Sequence, residues 1–371
     1  MNKNFLFGLA SLIGTIIGAG VFGVPYVMSK SGVLPCLFYF ILLSTLVLFL
    51  HLAFSEIVLR TKGNHRLIGY AEKYLGDKAK ILIGVSVLFG TLGSLLAYII
   101  LAGKFANLIF PLSSFQWSFY LWALLSLLVL FGIKSIAKAE FYMNIGLFFV
   151  IFLVFGLSLP KIQASNLVLI SKDSLFLPFG VILFSLIGLS AIPEVAGILK
   201  KKSDLKKIII TTSITVTLLF FLFGLIITGV TGQDTTQDAL TGLQAVFGTS
   251  IIVLGGIFGL LAVATSFLIL SNYLKNTLRF DYNVPHFFSF SLAVFLPMFF
   301  FLIGFREFIQ VIGIVGVFIG LIEGTAIFLI FKKAKKEGDK VPAYNIKVPN
   351  VLIYIAISIL ILGALFQLIY G

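Results

Sequence analysis

The segment IGTIIGAGVFGVP, residues 13–25, decides which architecture this sequence can adopt. It lies in an apolar run over residues 5–28, which is long enough to cross a bilayer as a helix. The segment also holds helix-weakening residues, namely Gly14, Gly18, Gly20, Gly23 and Pro25. Two interpretations fit: a membrane helix that is broken here, or a continuous helix whose small residues allow close packing.

The composition predicts a membrane protein. Of the 371 residues, 60% are hydrophobic and only 11% are charged, and the charges cluster between long apolar runs. A soluble domain of this size would lack a polar surface, so we expect a multi-pass protein in contact with the lipid bilayer. The single cysteine, Cys36, excludes an internal disulfide. The net charge of +13 lies in the connecting segments, so no nucleic acid partner is expected.

The apolar runs predict eleven transmembrane helices. Their ranges are roughly 5–28, 33–59, 81–103, 116–133, 141–159, 174–199, 208–230, 250–274, 287–304, 308–331 and 350–370. Residues 65–76 predict a short amphipathic helix at the interface. Residues 231–248 fit either a short helix or a solvated loop.

The basic residues predict the orientation of the chain. If the N-terminus is cytoplasmic, 22 of the 27 Lys and Arg residues fall on the cytoplasmic side. We therefore expect a protein of the cell membrane, plasma or inner, with its N-terminus in the cytoplasm and its C-terminus outside.

A second interrupted span lies far down the chain. Residues 177–199, LPFGVILFSLIGLSAIPEVAGIL, are interrupted by Gly188, Ser190 and Pro193. If spans 1–5 and 6–10 form two halves, the breaks correspond, and an odd number of spans inverts the second half. Paired broken spans point to the midplane binding site of a secondary transporter. We expect unwinding near residues 18–21 and 188–190, in one domain over 1–371 with repeats at 5–159 and 174–331 and an extra helix at 350–370.

The breaks predict an amino acid substrate. Helix N-termini in span 1 can bind a carboxylate, and carbonyls in span 6 can bind an ammonium group. Neither break contains Asp or Glu, and the neighbouring residues favour a neutral side chain that is small or hydrophobic. The expected substrate-binding residues are Gly18, Ala19, Gly20, Val21, Phe22, Tyr98, Phe184, Ser185, Gly188, Leu189 and Ser190. Tyr98 on span 3 either covers the substrate or simply packs.

Polar residues within the spans suggest how transport is driven. On span 8, Ala262, Thr265 and Ser266 share one helical face, and their oxygens either bind a small cation or bond back to the helix. Ionisable residues inside a membrane are functional hypotheses by default. Glu194 fits a structural or a gating role, and Glu323 is the best proton carrier if protons drive transport. On span 2, His51 also qualifies, whereas Glu56 lies one turn from Arg60 and fits a structural pair.

Three segments together resemble a known family. GTIIGAGVFGVPYVMSKSG, FSLIGLSAIPE and AVATSFL are similar to the amino acid/polyamine/organocation (APC) superfamily, in the amino acid permease branch with aromatic and serine permeases. The resemblance covers spans 1 to 10. It implies an all-α membrane protein of the LeuT-type fold, with five-plus-five inverted repeats, broken helices 1 and 6, and symport by alternating access. The last helix would be extra to this fold.

The resemblance also implies an ion site. Sodium-coupled members bind sodium between spans 1 and 8, and the corresponding ligands here are Gly14, Ile17, Ala262, Thr265 and Ser266. No cofactor other than a bound Na⁺ is expected. Some proton-coupled relatives place a span 5 lysine at that position, and residues 141–159 contain none, which favours sodium. The aromatic permeases have a histidine where Leu189 stands, which weakens the case for aromatic specificity.

Other functions remain as alternatives. A transporter of the same fold can be coupled to protons or can act as an exchanger. A polytopic membrane enzyme is disfavoured because the sequence shows no metal-ligand spacing and no nucleophile with a nearby base. A channel would not need two opposed broken helices around an occluded site.

Overall fold

The protein is an all-helical membrane protein. The computed structural model describes residues 3–63, 65–110, 112–131 and 136–370, and no β-strand occurs in these ranges. Within them, seven helical segments are long and apolar enough to cross a membrane, and one bent pair makes eight; the segments Leu177–Ile198 and Phe308–Glu337 each contain two α-helices. Three shorter apolar helices, Ser114–Leu130, Phe148–Lys161 and His286–Leu302, lie at the remaining predicted spans. The all-α membrane architecture is thus confirmed, while the count of eleven spans stays a prediction.

The α-helices follow the predicted spans closely. In chain order they are α1 (Lys3–Ile16), α2 (Gly20–Ser31), α3 (Val33–Arg60), α4 (Leu67–Leu75), α5 (Asp77–Ile109), α6 (Ser114–Phe131), α7 (Ile136–Ser158), α8 (Leu177–Leu186), α9 (Ile192–Ile198), α10 (Asp204–Thr231), α11 (Gln244–Phe247), α12 (Thr249–Asp281), α13 (His286–Leu302), α14 (Phe308–Phe318), α15 (Thr325–Glu337) and α16 (Asn350–Tyr370). The short helix α4 lies within the range predicted to be helical, and of the two alternatives for residues 231–248 the structure has a four-residue helix, α11, at the end of a segment of 3₁₀ turns and loop.

The first span is broken where its glycines predict. Residues 17–19 separate α1 from α2, and the two helix axes differ in direction by 50°. The amide of Gly18 donates to the carbonyl of Ile16 at 2.8 Å, and not to a carbonyl four residues earlier. Gly20 and Val21, which we expected in the break, form the first turn of α2.

The sixth span is broken at the corresponding place. Helix α8 ends at Leu186, and Ile187 and Gly188 leave the helical conformation. A single 3₁₀ turn, Leu189–Ala191, then leads into α9. Pro193 lies in the first turn of α9, where its missing amide donor costs nothing. Both predicted breaks are therefore confirmed.

Helix lengths repeat between the two halves of the chain. Helices α3 and α10 each have 28 residues, and α5 and α12 each have 33. Each 33-residue helix follows a short helix and a glycine in the left-handed region, with φ of 88° at Gly76 and 72° at Gly248. Glycine adopts such angles without a Cβ clash. Two copies of one arrangement would give this pattern; the repeat boundaries at 5–159 and 174–331 stay a prediction.

Within the second half of the chain, α8 packs on α14. A Cβ at Gly316 would lie 2.0 Å from the carbonyl oxygen of Gly180, so the two backbones are in direct contact. The extra helix α16 covers the start of α8. There the side-chain oxygen of Gln367 accepts from the Gly180 amide at 2.8 Å, and the rings of Phe176 and Phe366 stack at 5.0 Å.

The loop between α15 and α16 ties these helices to α3. Glu56, buried at the end of α3, accepts from Arg60 Nε at 2.7 Å, which confirms the predicted pair. It also accepts from the amide of Ile346 in the loop at 2.7 Å. The Lys62 amide donates to the Asp339 carboxylate at 2.8 Å, and this bond holds the pKa of Asp339 below its usual value.

We expect Gly316→Ala to lower the unfolding temperature, because its Cβ would overlap the Gly180 carbonyl. Forced overpacking of this kind typically costs about 1–3 kcal/mol. Gly156→Ala in α7 is the matched control, since nothing lies within 4 Å of a Cβ there. Thermal unfolding of the purified variants checks the prediction, and equal unfolding temperatures for the two would contradict it.

Candidate functional site

A cavity of about 190 Å³ lies between the two breaks. It is bounded by the break of span 1, the break of span 6, one face of α5, part of α12 and the turn between α14 and α15. Most of the predicted substrate-binding residues line it, namely Gly18, Ala19, Gly20, Tyr98, Phe184, Ser185, Gly188, Leu189 and Ser190. The structure thus gathers residues that are more than 150 positions apart in the sequence.

The other two predicted residues lie elsewhere. Val21 is fully buried, and Phe22 packs edge-on against the rings of Phe105 at 4.8 Å and Phe223 at 6.5 Å. Both residues belong to α2, which begins at Gly20, and its helical rotation turns their side chains into the core. Neither lines the cavity, so the expectation that they bind substrate has no support in this geometry.

Two helix ends with backbone groups that lack helical partners contribute to the cavity wall. Gly20, which lines the cavity, is the first residue of α2, where a helix has no carbonyl of its own to accept from the amides. The final carbonyls of α8, up to Leu186, likewise lack helical donors. The Ser185 hydroxyl donates to the Val181 carbonyl at 2.6 Å, within its own helix. The start of α2 therefore brings N–H groups, and the end of α8 carbonyl groups, to elements that form the cavity wall.

Glycines let the walls of the cavity come together. A Cβ at Gly20 would lie 2.5 Å from Ser185 Oγ and 2.6 Å from Ser185 Cα. A Cβ at Gly18 would lie 3.1 Å from the hydroxyl oxygen of Tyr98. Only glycine at position 20 therefore allows α2 to touch α8, whereas position 18 faces the end of a side chain.

Sequence reasoning missed one face of α5. Besides Tyr98, the residues Val87, Gly90, Thr91 and Ser94 of that helix line the cavity. They recur three or four positions apart, which is the spacing of a single helical face. This small and polar stripe within span 3 was a usable signal.

The sequence analysis also did not identify Arg66 as a residue of the site, because no local sequence pattern marks it. It precedes α4 and lines the cavity together with Tyr273 of α12. Its guanidinium carbon lies 4.7 Å from the centre of the Tyr273 ring, and Nη1 donates to Thr277 Oγ1 at 3.0 Å. These partners are about 200 residues away in sequence, so only the fold brings them together.

The predicted sodium ligands are only partly gathered. Gly14 and Ser266 line the cavity, whereas Ile17, Ala262 and Thr265 do not. The Thr265 hydroxyl donates to the carbonyls of Leu261 at 3.1 Å and Ala262 at 3.0 Å, which is the back-bonding alternative considered above. Carbonyl and hydroxyl oxygens suit a small hard cation, so the donor chemistry fits Na⁺. The set of five ligands stays a prediction.

The two candidate acids occupy different environments. Glu323 lies in a π-helical turn, Ile319–Gly324, between α14 and α15; it is 7% exposed and lines the cavity. It accepts from Ser86 Oγ at 3.3 Å. Single π turns within α-helices often occur at functional sites. Glu194, in contrast, is exposed on α9 and makes no hydrogen bond to a described residue, although Pro193 beside it lines the cavity.

The start of α7 changes the argument about span 5. The apolar run predicts that span 5 begins at residue 141, but the helix begins at Ile136 and therefore includes Lys138. The side chain of Lys138 lies outside the part of the chain that is described. The preference for sodium that rests on residues 141–159 stays a prediction.

Comparison with known proteins identifies the family. A model of the tryptophan/tyrosine permease family matches residues 1–367. The chain belongs to the tryptophan/tyrosine permease family. No curated protein matches this permease. Among solved structures, that of MhsT in complex with L-phenylalanine is similar, with a TM-score of 0.72 over 100% of this chain and 98% of that one, at 16% identity. At this identity the likeness shows the fold, which is LeuT-type as the resemblance implied.

Family and fold together fix the broad function. The permease is an amino acid transporter of multi-pass membrane topology and is not an enzyme. The identity of its amino acid and of its coupling ion is a finer question.

We expect Gly20→Ala to reduce amino acid uptake by about fivefold or more, because its Cβ would push α2 away from Ser185. An overpacking cost of about 1–3 kcal/mol corresponds to roughly that factor. Gly18→Ala should cost less than about threefold, since the end of the Tyr98 side chain can move. Uptake per folded protein, normalised by size-exclusion chromatography, checks the order, and a larger loss for Gly18→Ala would contradict it.

Proposed function

We propose that the permease carries neutral amino acids across the cell membrane by sodium-coupled symport with alternating access. The observation that carries this proposal is the single cavity into which both broken spans open. Its N–H groups come from α2 and its carbonyls from α8, and neither break holds an acidic residue. The distribution of Lys and Arg supports an N-terminus in the cytoplasm and a C-terminus outside.

The substrate is held by its α-amino acid group. Its carboxylate accepts from the amides at the start of α2, where the helix dipole favours an anion. Its ammonium group donates to the carbonyls at the end of α8. The side chain lies among Phe184, Ile187 and Leu189, which favour an uncharged group. A bound phenylalanine in the structurally similar MhsT agrees with a substrate of this class.

Sodium acts by linking the two halves. An ion that binds carbonyls of span 1 and hydroxyls of span 8 together stabilises the state in which these spans are close. Gly14 and Ser266 support such a site because both line the cavity. The full ligand set is Gly14, Ile17, Ala262, Thr265 and Ser266. This requires the Thr265 hydroxyl to turn from its own helix towards the ion.

Protons are the second candidate for coupling, and Glu323 is the observation in their favour. Its carboxyl group is buried in the cavity wall, and among the described residues it accepts from a serine hydroxyl and pairs with no cation. Burial of an unpaired carboxylate is costly, so uptake of a proton would stabilise this group. Glu194 is a weaker candidate for gating because its side chain is exposed.

Uptake into proteoliposomes tests the proposal. The purified permease is reconstituted and offered tritiated tryptophan, tyrosine, phenylalanine, leucine, serine, lysine and glutamate, with and without an inward sodium gradient. We expect sodium-dependent uptake of one or more of the neutral amino acids only. Uptake confined to lysine or glutamate would contradict neutral specificity, and uptake unaffected by sodium would contradict sodium coupling.

The coupling ion is decided by a pair of variants. Thr265→Ala combined with Ser266→Ala should raise the sodium concentration for half-maximal uptake by more than tenfold, at about 1.4 kcal/mol or more per lost ligand. Glu323→Gln is the matched comparison and should leave sodium activation unchanged. If protons drive transport, uptake by the wild type will not depend on the sodium concentration and will be lost when the pH gradient is dissipated. In that case Glu323→Gln will abolish the coupling of uptake to protons.

A further inference from the structure

His51 of α3 is not part of the cavity wall, but it contacts one of the residues that line the cavity. Its side chain is 1% exposed, and its Nε2 atom accepts a hydrogen bond from the amide of Gly188 at 3.2 Å. Gly188 lies in the break of span 6 and lines the cavity, whereas His51 does not. The imidazole therefore reaches the binding site only through this one backbone group.

The Gly188 amide needs such a partner because of the break. In a continuous helix it would donate to the carbonyl of Phe184, but α8 ends at Leu186. A buried backbone amide that has neither a carbonyl nor water as acceptor is strongly unfavourable, above all within a membrane. The ring of His51 replaces the lost helical acceptor and stabilises the unwound backbone.

The hydrogen bond also defines the state of the imidazole. A ring nitrogen that accepts carries no proton, so His51 is neutral and its proton is on Nδ1. Nδ1 has no hydrogen-bond partner in the part of the chain that is described. The bond to Gly188 is thus the polar contact by which this side chain acts.

The hydrogen bond between His51 and Gly188 lies where the two breaks meet. A Cβ at Gly188 would lie 2.4 Å from Cγ1 of Ile16, the last residue of α1, so the span 6 break lies directly against the span 1 break. We propose that His51 is a positioning residue that fixes the unwound segment of span 6 in the geometry that binds substrate. This inference rests on the proposed function, because it assumes that the cavity binds the transported amino acid.

The experiment compares two substitutions at one position. His51→Gln keeps an acceptor near Nε2, since the glutamine side-chain oxygen reaches a similar distance, whereas His51→Leu removes it. Thr228→Val is the matched control. Thr228 is also buried and donates to a backbone carbonyl of the other broken span, that of Pro25 at 3.0 Å, but neither residue lines the cavity. If His51→Leu does not fold, His51→Met replaces it as a flexible side chain with a weak acceptor.

Two readouts are measured in reconstituted protein. The first is hydrogen–deuterium exchange of peptides that cover residues 186–191. The second is the KM and maximal rate of uptake for tritiated phenylalanine, leucine and serine, per folded protein. We expect His51→Leu to speed exchange in this segment and to raise the KM about tenfold, with the maximal rate changed much less. His51→Gln should restore both values to near those of the wild type, and Thr228→Val should change neither.

The proposal is overturned if His51→Leu leaves the exchange and the KM unchanged, or if His51→Gln is impaired as severely as His51→Leu. A purely structural role for His51 would lower the amount of folded protein in both variants without a selective rise in KM. If the wild type takes up none of the amino acids, the proposed function fails, and the exchange measurement still decides whether His51 fixes the break.

Discussion

Satisfaction of backbone polar groups inside the membrane is the constraint on which this structure depends. Hydrocarbon offers no water, so an opened helix needs a protein acceptor or a wet cavity for each freed group. In the first break the Gly18 amide donates to the Ile16 carbonyl, and in the second the Gly188 amide donates to Nε2 of His51. The start of α2 and the end of α8 contribute Gly20 and Ser185 to the cavity wall. The backbone groups that lack helical partners at these two ends are those we propose for substrate binding.

The charges around the cavity are few and belong to elements other than the two breaks. Among the described lining residues, Arg66 and Glu323 are the charged ones. Arg66 is held by a tyrosine ring and a threonine hydroxyl, and Glu323 by the Ser86 hydroxyl. A zwitterion with an uncharged side chain meets no opposing full charge at the breaks, since the backbone dipoles there match both of its ends. Selectivity for neutral substrates would follow from this separation.

Much of the fold was predictable because the signals were local. Hydropathy located the spans, and Gly18, Gly188 and Pro193 located the breaks, since these residues act within one helical turn. The orientation of single side chains was harder: Phe22 points into the core because α2 begins two residues before it. The contact between His51 and Gly188 joins residues 137 positions apart, and no pattern in one sequence records it. Helix ends were also imprecise, as Lys138 within α7 illustrates.

The contact between Gly180 and Gly316 has a mechanical consequence. Two helices that meet through side chains can slide by exchanging rotamers, but here carbonyl and Cα atoms touch, and nothing between them can rearrange. We therefore expect α8 and α14 to move together as one rigid unit. Glu323 follows α14 in the π-helical turn and the break of span 6 follows α8, so a displacement of this unit would move both.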